Sequence, residues 1–407
     1  MKAFLLLEDG TVFEGTHIGA DKEVISEIVF NTSMTGYLEV LTDPSYAGQA
    51  VCMTYPLVGN YGVCREDMES GQPWPDGLIV RELSRIPSNF RSECSIQQFL
   101  SENGVPGIAG IDTRALTRIL REKGTMNGMI TTNADYNLDE IMPKLQAYSA
   151  GRKTEQVTCK AKYTVAPSKT LEDNGPLVGY SVFNKADYEA GKREIPPSMV
   201  QELNGAGLHV AVLDLGVKKS LINSLARRGC TVTVYPAQTK AEEIIADRPD
   251  GILLSNGPGN PKEYGDIIEE VKKLYNTDIA IWAIGLGHQL MALAAGADIY
   301  KLKSCHGGSN YPVKELATGR VAISSQNHSY AVDTDRLEKT VAVPAFVNVN
   351  DGTNEGLAYT GKNIFSIQYY PSESLICTEK DSLYNRFIQM MRGLEKAENH
   401  TDMKEEK

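Results

Sequence analysis

The sequence predicts two α/β domains, a strand-rich mixed domain over residues 1–150 and a parallel-sheet domain over residues 208–394. Three observations support this prediction. The chain has 407 residues, a length typical of two or three domains. Its first part carries short apolar runs separated by turn signals, whereas the part after Leu208 alternates apolar runs with amphipathic segments. Its 42% apolar and 23% charged residues are typical of a globular protein.

Turn and capping signals define the first elements of the N-terminal domain. Apolar residues on either side of Asp9-Gly10 predict a hairpin, because this pair favours a two-residue turn. Further strands are predicted at residues 24–30, 51–55 and 78–80. Asp112 predicts the start of a helix, and Gly124 predicts its end.

The segment over residues 151–207 is predicted to be an irregular connector or insertion that contains the domain boundary. Hydrophobic periodicity fades there and prolines are frequent. Residues 395–407 are rich in charge, so we expect a frayed tail.

Strands and helices alternate from residue 208 onward, which predicts a parallel sheet covered by helices on both faces. Strands are predicted at residues 208–214, 231–235, 251–255 and 279–284, and helices at residues 218–228, 239–247, 262–275 and 287–294. Reactive groups in such sheets lie in the loops that follow the strands. The loops at residues 255–261 and 284–289 are therefore the candidate site. The strand-to-helix junction at Gly285 predicts a nucleophile elbow, a sharp turn that presents one side chain above the sheet.

Charge and motif content exclude several function classes. Lys and Arg number 41 against 52 Asp and Glu, and this net charge of −11 argues against a nucleic acid or an anionic membrane as the main partner. No membrane-spanning run or signal peptide is recognised, so we expect a cytoplasmic protein. The 7 cysteines form no CxxC pair, and neither a disulfide framework nor a metal site is predicted. Leu290 replaces the third glycine of a dinucleotide fingerprint, and no phosphate loop is found, so nucleotide binding is not expected.

Motifs in both halves of the chain resemble one family. In the C-terminal half they lie at residues 215–218, 236–239, 255–261, 286–289 and 368–369, and in the N-terminal half at residues 31–37, 42–49, 59–62 and 107–114. Together they resemble the small subunit of carbamoyl-phosphate synthetase, which carries a class I glutamine amidotransferase domain. The resemblance implies that the C-terminal domain is a flavodoxin-like glutaminase domain.

The resemblance also implies a division of labour. The family's small subunit releases ammonia from glutamine, and a large ATP-dependent subunit uses it to build carbamoyl phosphate for arginine and pyrimidine synthesis. No cofactor is therefore expected on this chain, and ATP and metal are expected on the large subunit. The family's reaction needs a cysteine nucleophile, a histidine that activates it and a glutamate that orients the histidine.

The catalytic positions of the family are replaced in this sequence. By resemblance they fall on Gly285, Tyr370 and Ser372. None of the three supplies a thiolate, an imidazole or a carboxylate, so we expect glutaminase activity to be lost. Glycine at an elbow also relieves backbone strain, which makes the replacement favourable once catalysis is not required.

The family's glutamine contacts are better preserved than its triad. By resemblance, matching residues stand at Ser45, Gly257, Gly259, Leu286, Gln289 and Asn327. Ser329 stands where the family has glycine, and Tyr330 where it has phenylalanine. Ser329 therefore adds a Cβ and a hydroxyl to the pocket. Tyr370 is larger than an imidazole and is expected to fill part of the site.

Three hypotheses remain open at this point. The preferred one is a small subunit that docks on the large subunit without hydrolysing glutamine, while the large subunit uses free ammonia. The second is a regulatory module whose pocket binds L-glutamine and biases a partner without turnover. The third is an active glutaminase with an unorthodox nucleophile, for which Cys305 beside His306 is the candidate. Neighbouring residues rarely point their side chains at each other, and His288 and His328 are expected to be structural.

Overall fold

The computed structural model describes residues 1–167, 204–371 and 383–394. These residues form a closed barrel in the N-terminal part and a ten-stranded sheet in the C-terminal part. Most of the predicted connector, the predicted tail and Ser372 lie outside the described residues. In the part of the chain that the structure describes, no helix is long and apolar enough to span a bilayer.

The N-terminal domain is a barrel of seven strands with a small two-stranded ribbon beside it. Its strands are β1 Lys2–Leu7, β2 Val12–Gly19, β3 Val24–Asn31, β4 Gln49–Met53, β5 Leu57–Val58, β6 Gly77–Val80, β7 Glu82–Leu83, β8 Pro106–Ala109 and β9 Met126–Thr131. Its helices are α1 Tyr37–Leu41, α2 Ile96–Glu102, α3 Thr113–Lys123 and α4 Leu138–Ala147. The barrel closes in the order β1-β2-β8-β6-β4-β3-β9, and β5 pairs with β7.

Local signals set the first elements of the barrel as the sequence predicts. The Leu7 N–H donates to the Thr11 carbonyl at 2.9 Å, and Gly10 has a φ of 85°, so the turn at Asp9-Gly10 joins β1 to β2. The Asp112 carboxylate accepts from the Ala115 N–H at 2.9 Å and caps α3. Gly124 ends this helix. The hairpin and both helix boundaries are confirmed, although the hairpin loop has three residues, 8–10, and not the predicted two.

The C-terminal domain is built on a mixed sheet. Its strands, with an edge strand from the preceding segment, are β10 Tyr163–Val165, β11 His209–Asp214, β12 Thr231–Pro236, β13 Gly251–Leu254, β14 Ala280–Ile284, β15 Asp298–Glu315, β16 Val321–Asp333, β17 Ala342–Asn348, β18 Asn354–Tyr359 and β19 Ile364–Ile367. The helices of this part are α5 Thr154–Val157, α6 Lys219–Arg227, α7 Ala241–Ala246, α8 Gly265–Tyr275, α9 Leu286–Ala294 and α10 Leu383–Met391.

The parallel core of this sheet confirms the predicted fold class. Strands β12-β11-β13-β14-β19 lie side by side and run parallel, which is the flavodoxin-like order. The sequence did not predict the antiparallel strands β18-β17-β15-β16, which extend the sheet on one side. Buried and exposed residues do not alternate regularly along β15, and β15 pairs with β16 through two register shifts. The sequence of this strand therefore lacks the regular alternation that predicts a strand.

The first part of the predicted irregular connector is ordered, which corrects that prediction. Strand β10 pairs antiparallel with β12 and forms one edge of the C-terminal sheet, and α5 precedes it. Thr158 links this segment to the sheet, because its hydroxyl donates to the Asp214 carbonyl at 2.7 Å. Only three residues pair in β10, too few for a periodic signal in the sequence.

Strand β15 holds the two domains together. The Thr32 N–H, just after β3, donates to the Gly307 carbonyl at 3.0 Å. A Cβ at Gly307 would lie 2.1 Å from the Phe30 carbonyl oxygen, so glycine is required for this approach. The Cys305 side chain packs into the core of the barrel. The C-terminal domain therefore contributes directly to the core of the N-terminal domain.

Candidate functional site

Gly285 occupies the predicted elbow. It lies between β14 and α9 with a φ of 57° and a ψ of −114°, a conformation that favours glycine. Its N–H donates to the Ile367 carbonyl at 2.9 Å. A Cβ here would lie 3.2 Å from the Asn256 Cβ, so a side chain would need a shift of a few tenths of an ångström. The turn is that of a nucleophile elbow, but glycine presents no nucleophile.

Tyr370 reaches from the end of β19 to the N-terminal domain. Its hydroxyl donates to the Asp43 carboxylate at 2.7 Å and lies 3.1 Å from the Ser45 hydroxyl. Burial and the neighbouring Asp43 raise the pKa of the phenol well above its ordinary value. The phenol therefore stays protonated at neutral pH and is unsuited to act as a general base.

Opposite charges surround the Tyr370 contact at the domain boundary. The Lys218 ammonium lies 4.4 Å from the centre of the Tyr370 ring and 2.9 Å from a Glu69 carboxylate oxygen. Burial lowers the pKa of Lys218, but Glu69 and Asp43 outweigh it, so the pKa is raised. Glu69 also accepts from the Ser220 N–H at 3.0 Å. These contacts bind the two domains together beside the elbow.

Asp43, Glu69 and Lys218 were not singled out by the sequence analysis. Asp43 and Lys218 stand inside motifs that carry the resemblance, but no role was given to their charges. A signal was present, because charged residues inside an otherwise apolar or glycine-rich motif often have buried partners. No local pattern pairs Glu69 with Lys218, since the contact joins residues of different domains.

A cavity of about 200 Å³ opens between the two domains beside the elbow. All the predicted glutamine contacts except Leu286 line it, namely Ser45, Gly257, Gly259, Gln289, Asn327, Ser329 and Tyr330. Neither Gly285 nor Tyr370 is among the described residues of its wall. The Tyr370 hydroxyl nevertheless lies 3.1 Å from the hydroxyl of Ser45, a residue of this wall, and the expectation that Tyr370 fills part of the site stays a prediction.

Hydrogen bonds fix several side chains of the cavity wall. The Gln289 amide donates to the Tyr330 carbonyl at 3.0 Å and to the Gln368 side-chain oxygen at 2.9 Å. The Ser45 hydroxyl accepts from the Asn256 amide at 2.9 Å. A Cβ at Gly257 would lie 2.2 Å from the Leu215 carbonyl oxygen, so this wall position also requires glycine.

Charged residues stand at the same cavity. Glu27, Glu263 and Lys301 line it, and the Lys301 ammonium lies 2.9 Å from a Glu27 carboxylate oxygen. A cavity with both signs of charge suits a zwitterion, because each charged group of the ligand can meet its opposite. Backbone and amide groups of the wall can in addition accept or donate hydrogen bonds.

Cys305 is unsuited to be a nucleophile. It is 3% exposed within the barrel core, and burial raises the pKa of its thiol to about 12. His306 follows on the opposite face of β15, where its Nε2 contacts Asp351 at 2.8 Å. The pair therefore does not form a catalytic dyad, and the structure contradicts this alternative.

His288 and His328 are both buried. His288 contacts the Ser366 hydroxyl through Nδ1 at 2.7 Å, and burial lowers its pKa to about 3. His328 contacts the Tyr330 carbonyl through Nδ1 at 2.9 Å, and burial lowers its pKa to about 4. Both rings are neutral at pH 7 and neither lies at the elbow. In the described part of the chain, His306, His328 and Glu355 form a cluster whose atoms are close enough to share a metal ion.

Comparisons with known proteins agree with the motifs. Residues 5–130 match the family model described as carbamoyl-phosphate synthase small chain, CPSase domain, and residues 211–390 match the model for class-I glutamine amidotransferase. A carbamoyl phosphate synthase small chain of Listeria monocytogenes serotype 4b is 43% identical over 399 residues, which is 98% of this chain and 99% of that protein. Its counterpart from Fusobacterium nucleatum is 42% identical over 384 residues, 94% and 96% of the two chains. The chain therefore belongs to the carbamoyl-phosphate synthase small-chain family and has a class-I glutamine amidotransferase domain.

Proposed function

We propose that this chain is a carbamoyl-phosphate synthase small subunit that does not hydrolyse glutamine. It docks on the large ATP-dependent subunit as a heterodimer in the cytoplasm, and the large subunit makes carbamoyl phosphate from free ammonia. The product serves arginine or pyrimidine synthesis. ATP and its metal ions bind the large subunit, and this chain carries no catalytic cofactor.

The observation that carries this proposal is the elbow itself. Gly285 adopts the backbone conformation of the nucleophile position without a side chain. The position that would hold the imidazole is Tyr370, whose hydroxyl is bonded to Asp43. A phenol held protonated beside a carboxylate neither activates a thiol nor receives its proton. The elbow turn of an active glutaminase domain is thus retained, whereas the side chains that perform the chemistry are absent.

The small subunit's value in this proposal is to stabilise its partner. A subunit that binds the folded partner and not the unfolded one shifts the partner's stability by mass action. Retention of the class-I domain is consistent with this role, because Cys305 of that domain packs into the barrel core and the Gly307 carbonyl accepts from the Thr32 N–H. Loss of the domain would expose the barrel core.

The decisive experiment measures ammonia release from glutamine by the purified chain, alone and with a large subunit. The native chain is expected to release no ammonia from glutamine. The complex is expected to make carbamoyl phosphate from added ammonium but not from glutamine. The revertant Gly285→Cys/Tyr370→His/Ser372→Glu is expected to gain glutaminase activity, since an elbow cysteine at a helix N-terminus has a lowered pKa.

The matched control for the revertant is Gly285→Ser/Tyr370→His/Ser372→Glu, which restores the same side-chain volumes without the thiol. It is expected to stay inactive. Glutamine hydrolysis by the native chain at the rate of an intact relative would overturn the proposal. Failure of the native chain to copurify with a large subunit would overturn the docking part.

A second candidate function is recognition of L-glutamine without turnover. The cavity of about 200 Å³ favours it, because seven of its wall residues are the family's glutamine contacts or their replacements and because both signs of charge are present. Calorimetric titration with L-glutamine tests it. Ser329→Leu, which fills the cavity, is expected to abolish binding, whereas Ser88→Leu on an exposed loop is the matched control. Equal heats in both variants would contradict specific binding.

A further inference from the structure

Three buried side chains from three strands converge away from the elbow. They are His306 of β15, His328 of β16 and Glu355 of β18, with exposed fractions of 6%, 7% and 0%. One ligand atom of each lies within 4.8 Å of the others. The Gln326 side chain, 2% exposed, stands between the two rings. Buried groups of this kind normally have hydrogen-bond partners that account for every electron pair and proton.

Outer hydrogen bonds turn one nitrogen of each ring toward the centre of the cluster, Nδ1 of His306 and Nε2 of His328. The Nε2 of His306 contacts the Asp351 carboxylate at 2.8 Å, and the Nδ1 of His328 contacts the Tyr330 carbonyl at 2.9 Å. Both partners are acceptors, so each ring donates its N–H outward. The lone pairs of His306 Nδ1 and His328 Nε2 then point inward, the arrangement by which outer partners orient metal-binding histidines.

The inward-facing atoms are acceptors as well. The Gln326 side-chain oxygen lies 3.0 Å from His306 Nδ1 and 3.1 Å from His328 Nε2, while its amide nitrogen donates to the Ser324 hydroxyl at 3.1 Å. Glu355 receives one hydrogen bond, from the Asn348 amide at 2.9 Å, and its second carboxylate oxygen is buried without a partner. With one proton on each ring and the Gln326 oxygen between them, acceptors face acceptors at the centre, and the nearest amide donor to His306 Nδ1 is that of Asn348 at 3.5 Å. Either a bound cation or a second proton on His306 satisfies these acceptors.

We propose that His306, His328 and Glu355 bind a divalent transition-metal ion such as Zn²⁺, with the Gln326 amide oxygen as the fourth donor. Separations of 3.0, 3.1 and 3.5 Å within the cluster are short enough for ligands of one ion at roughly 2.0–2.2 Å, and the ligand atoms of His306, His328 and Glu355, which lie within 4.8 Å of one another, would move closer together on binding. Imidazole nitrogens favour zinc, copper or nickel over magnesium or calcium. The expectation that this chain carries no metal site is thereby replaced for this cluster.

The bound ion would be structural. It would join β15, β16 and β18, and β15 is the strand that also completes the barrel core. His328 stands between Asn327 and Ser329, which both line the interdomain cavity. Metal binding would therefore hold the cavity wall in place, and this role does not depend on whether glutamine is hydrolysed.

The test measures metal content and metal binding of the full chain. The chain purified without chelators is expected to contain about one zinc per molecule. After the metal is stripped with a chelator, Co²⁺ is expected to restore about one equivalent with tetrahedral absorption bands, and Zn²⁺ is expected to raise the thermal midpoint. Glu355→Gln keeps the side-chain shape and is expected to lower affinity about 10-fold or more.

Two further variants keep the test decisive. Asp351→Asn changes the outer partner of His306, which also accepts from Thr353, on a partly exposed loop. It should fold even where Glu355→Gln does not, and it is expected to weaken Co²⁺ binding about 10-fold. His17→Asn removes a histidine of the barrel and is the matched control, expected to bind as the native chain does. Two results would overturn the proposal. One is a native chain that neither contains nor takes up metal, which would mean that a second proton on His306 satisfies the cluster. The other is an equal loss of Co²⁺ affinity in all three variants.

Discussion

Replacing Tyr370 with phenylalanine tests whether the residue at the former imidazole position has become a bond between the domains. The change removes the hydroxyl that donates to Asp43 at 2.7 Å and keeps the ring that lies 4.4 Å from the Lys218 ammonium. A hydrogen bond to a charged partner contributes about 1.5–3 kcal/mol, and Asp43 is only 2% exposed. We therefore expect the free energy of unfolding to fall by about 2 kcal/mol.

Urea unfolding followed by circular dichroism measures this loss. Tyr300→Phe is the matched control, because Tyr300 is 44% exposed and its loss is expected to stay within about 0.5 kcal/mol. The double variant with Asp43→Asn is expected to lose less than the sum of the two single losses, since both remove the same contact. A Tyr370→Phe chain as stable as the control, or strictly additive losses, would refute the reasoning.

Three further predictions concern the elbow, a buried histidine and the cavity. Gly285→Ala is expected to cost about 1–3 kcal/mol because of its φ of 57°, whereas Gly265→Ala, with open space at its Cβ, is the control; equal urea midpoints for the two variants would contradict strain at the elbow. The pKa of His288 is about 3 in the fold against an ordinary 6.5, so its contribution to stability is complete above pH 6.5 and is lost as pH falls toward 3. His288→Gln should lower the dependence of the free energy of unfolding on pH by up to about 1.4 kcal/mol per pH unit between pH 7 and 5. Urea midpoints at these two pH values measure this dependence, and a dependence equal to that of the native chain would disprove the prediction. Ser329→Gly is expected to tighten L-glutamine binding several-fold by calorimetry, because it restores the open backbone of the family's pocket; unchanged or weaker binding would count against this.

Local signals were enough for much of the fold. The turn at Asp9-Gly10, the helix from Asp112 to Gly124 and the alternation after residue 208 depend on residues close together in sequence. The closed barrel and the antiparallel half of the second sheet were not predicted, because strand pairing between distant residues leaves little trace in one sequence. Strand β10 was missed because it is only three residues long and because its partner β12 lies more than sixty residues away.

The sequence by itself determined the family and the missing chemistry of this protein. The residues at positions 285 and 370 are glycine and tyrosine whatever the fold, so a thiol and an imidazole are absent from these positions. Only the tertiary structure decided where the remaining groups point. It bonded Tyr370 to Asp43 and buried Cys305 in the barrel core. It also brought His306, His328 and Glu355 together from three strands. These outcomes depend on distances between residues far apart in the chain, which are fixed only when the two domains pack.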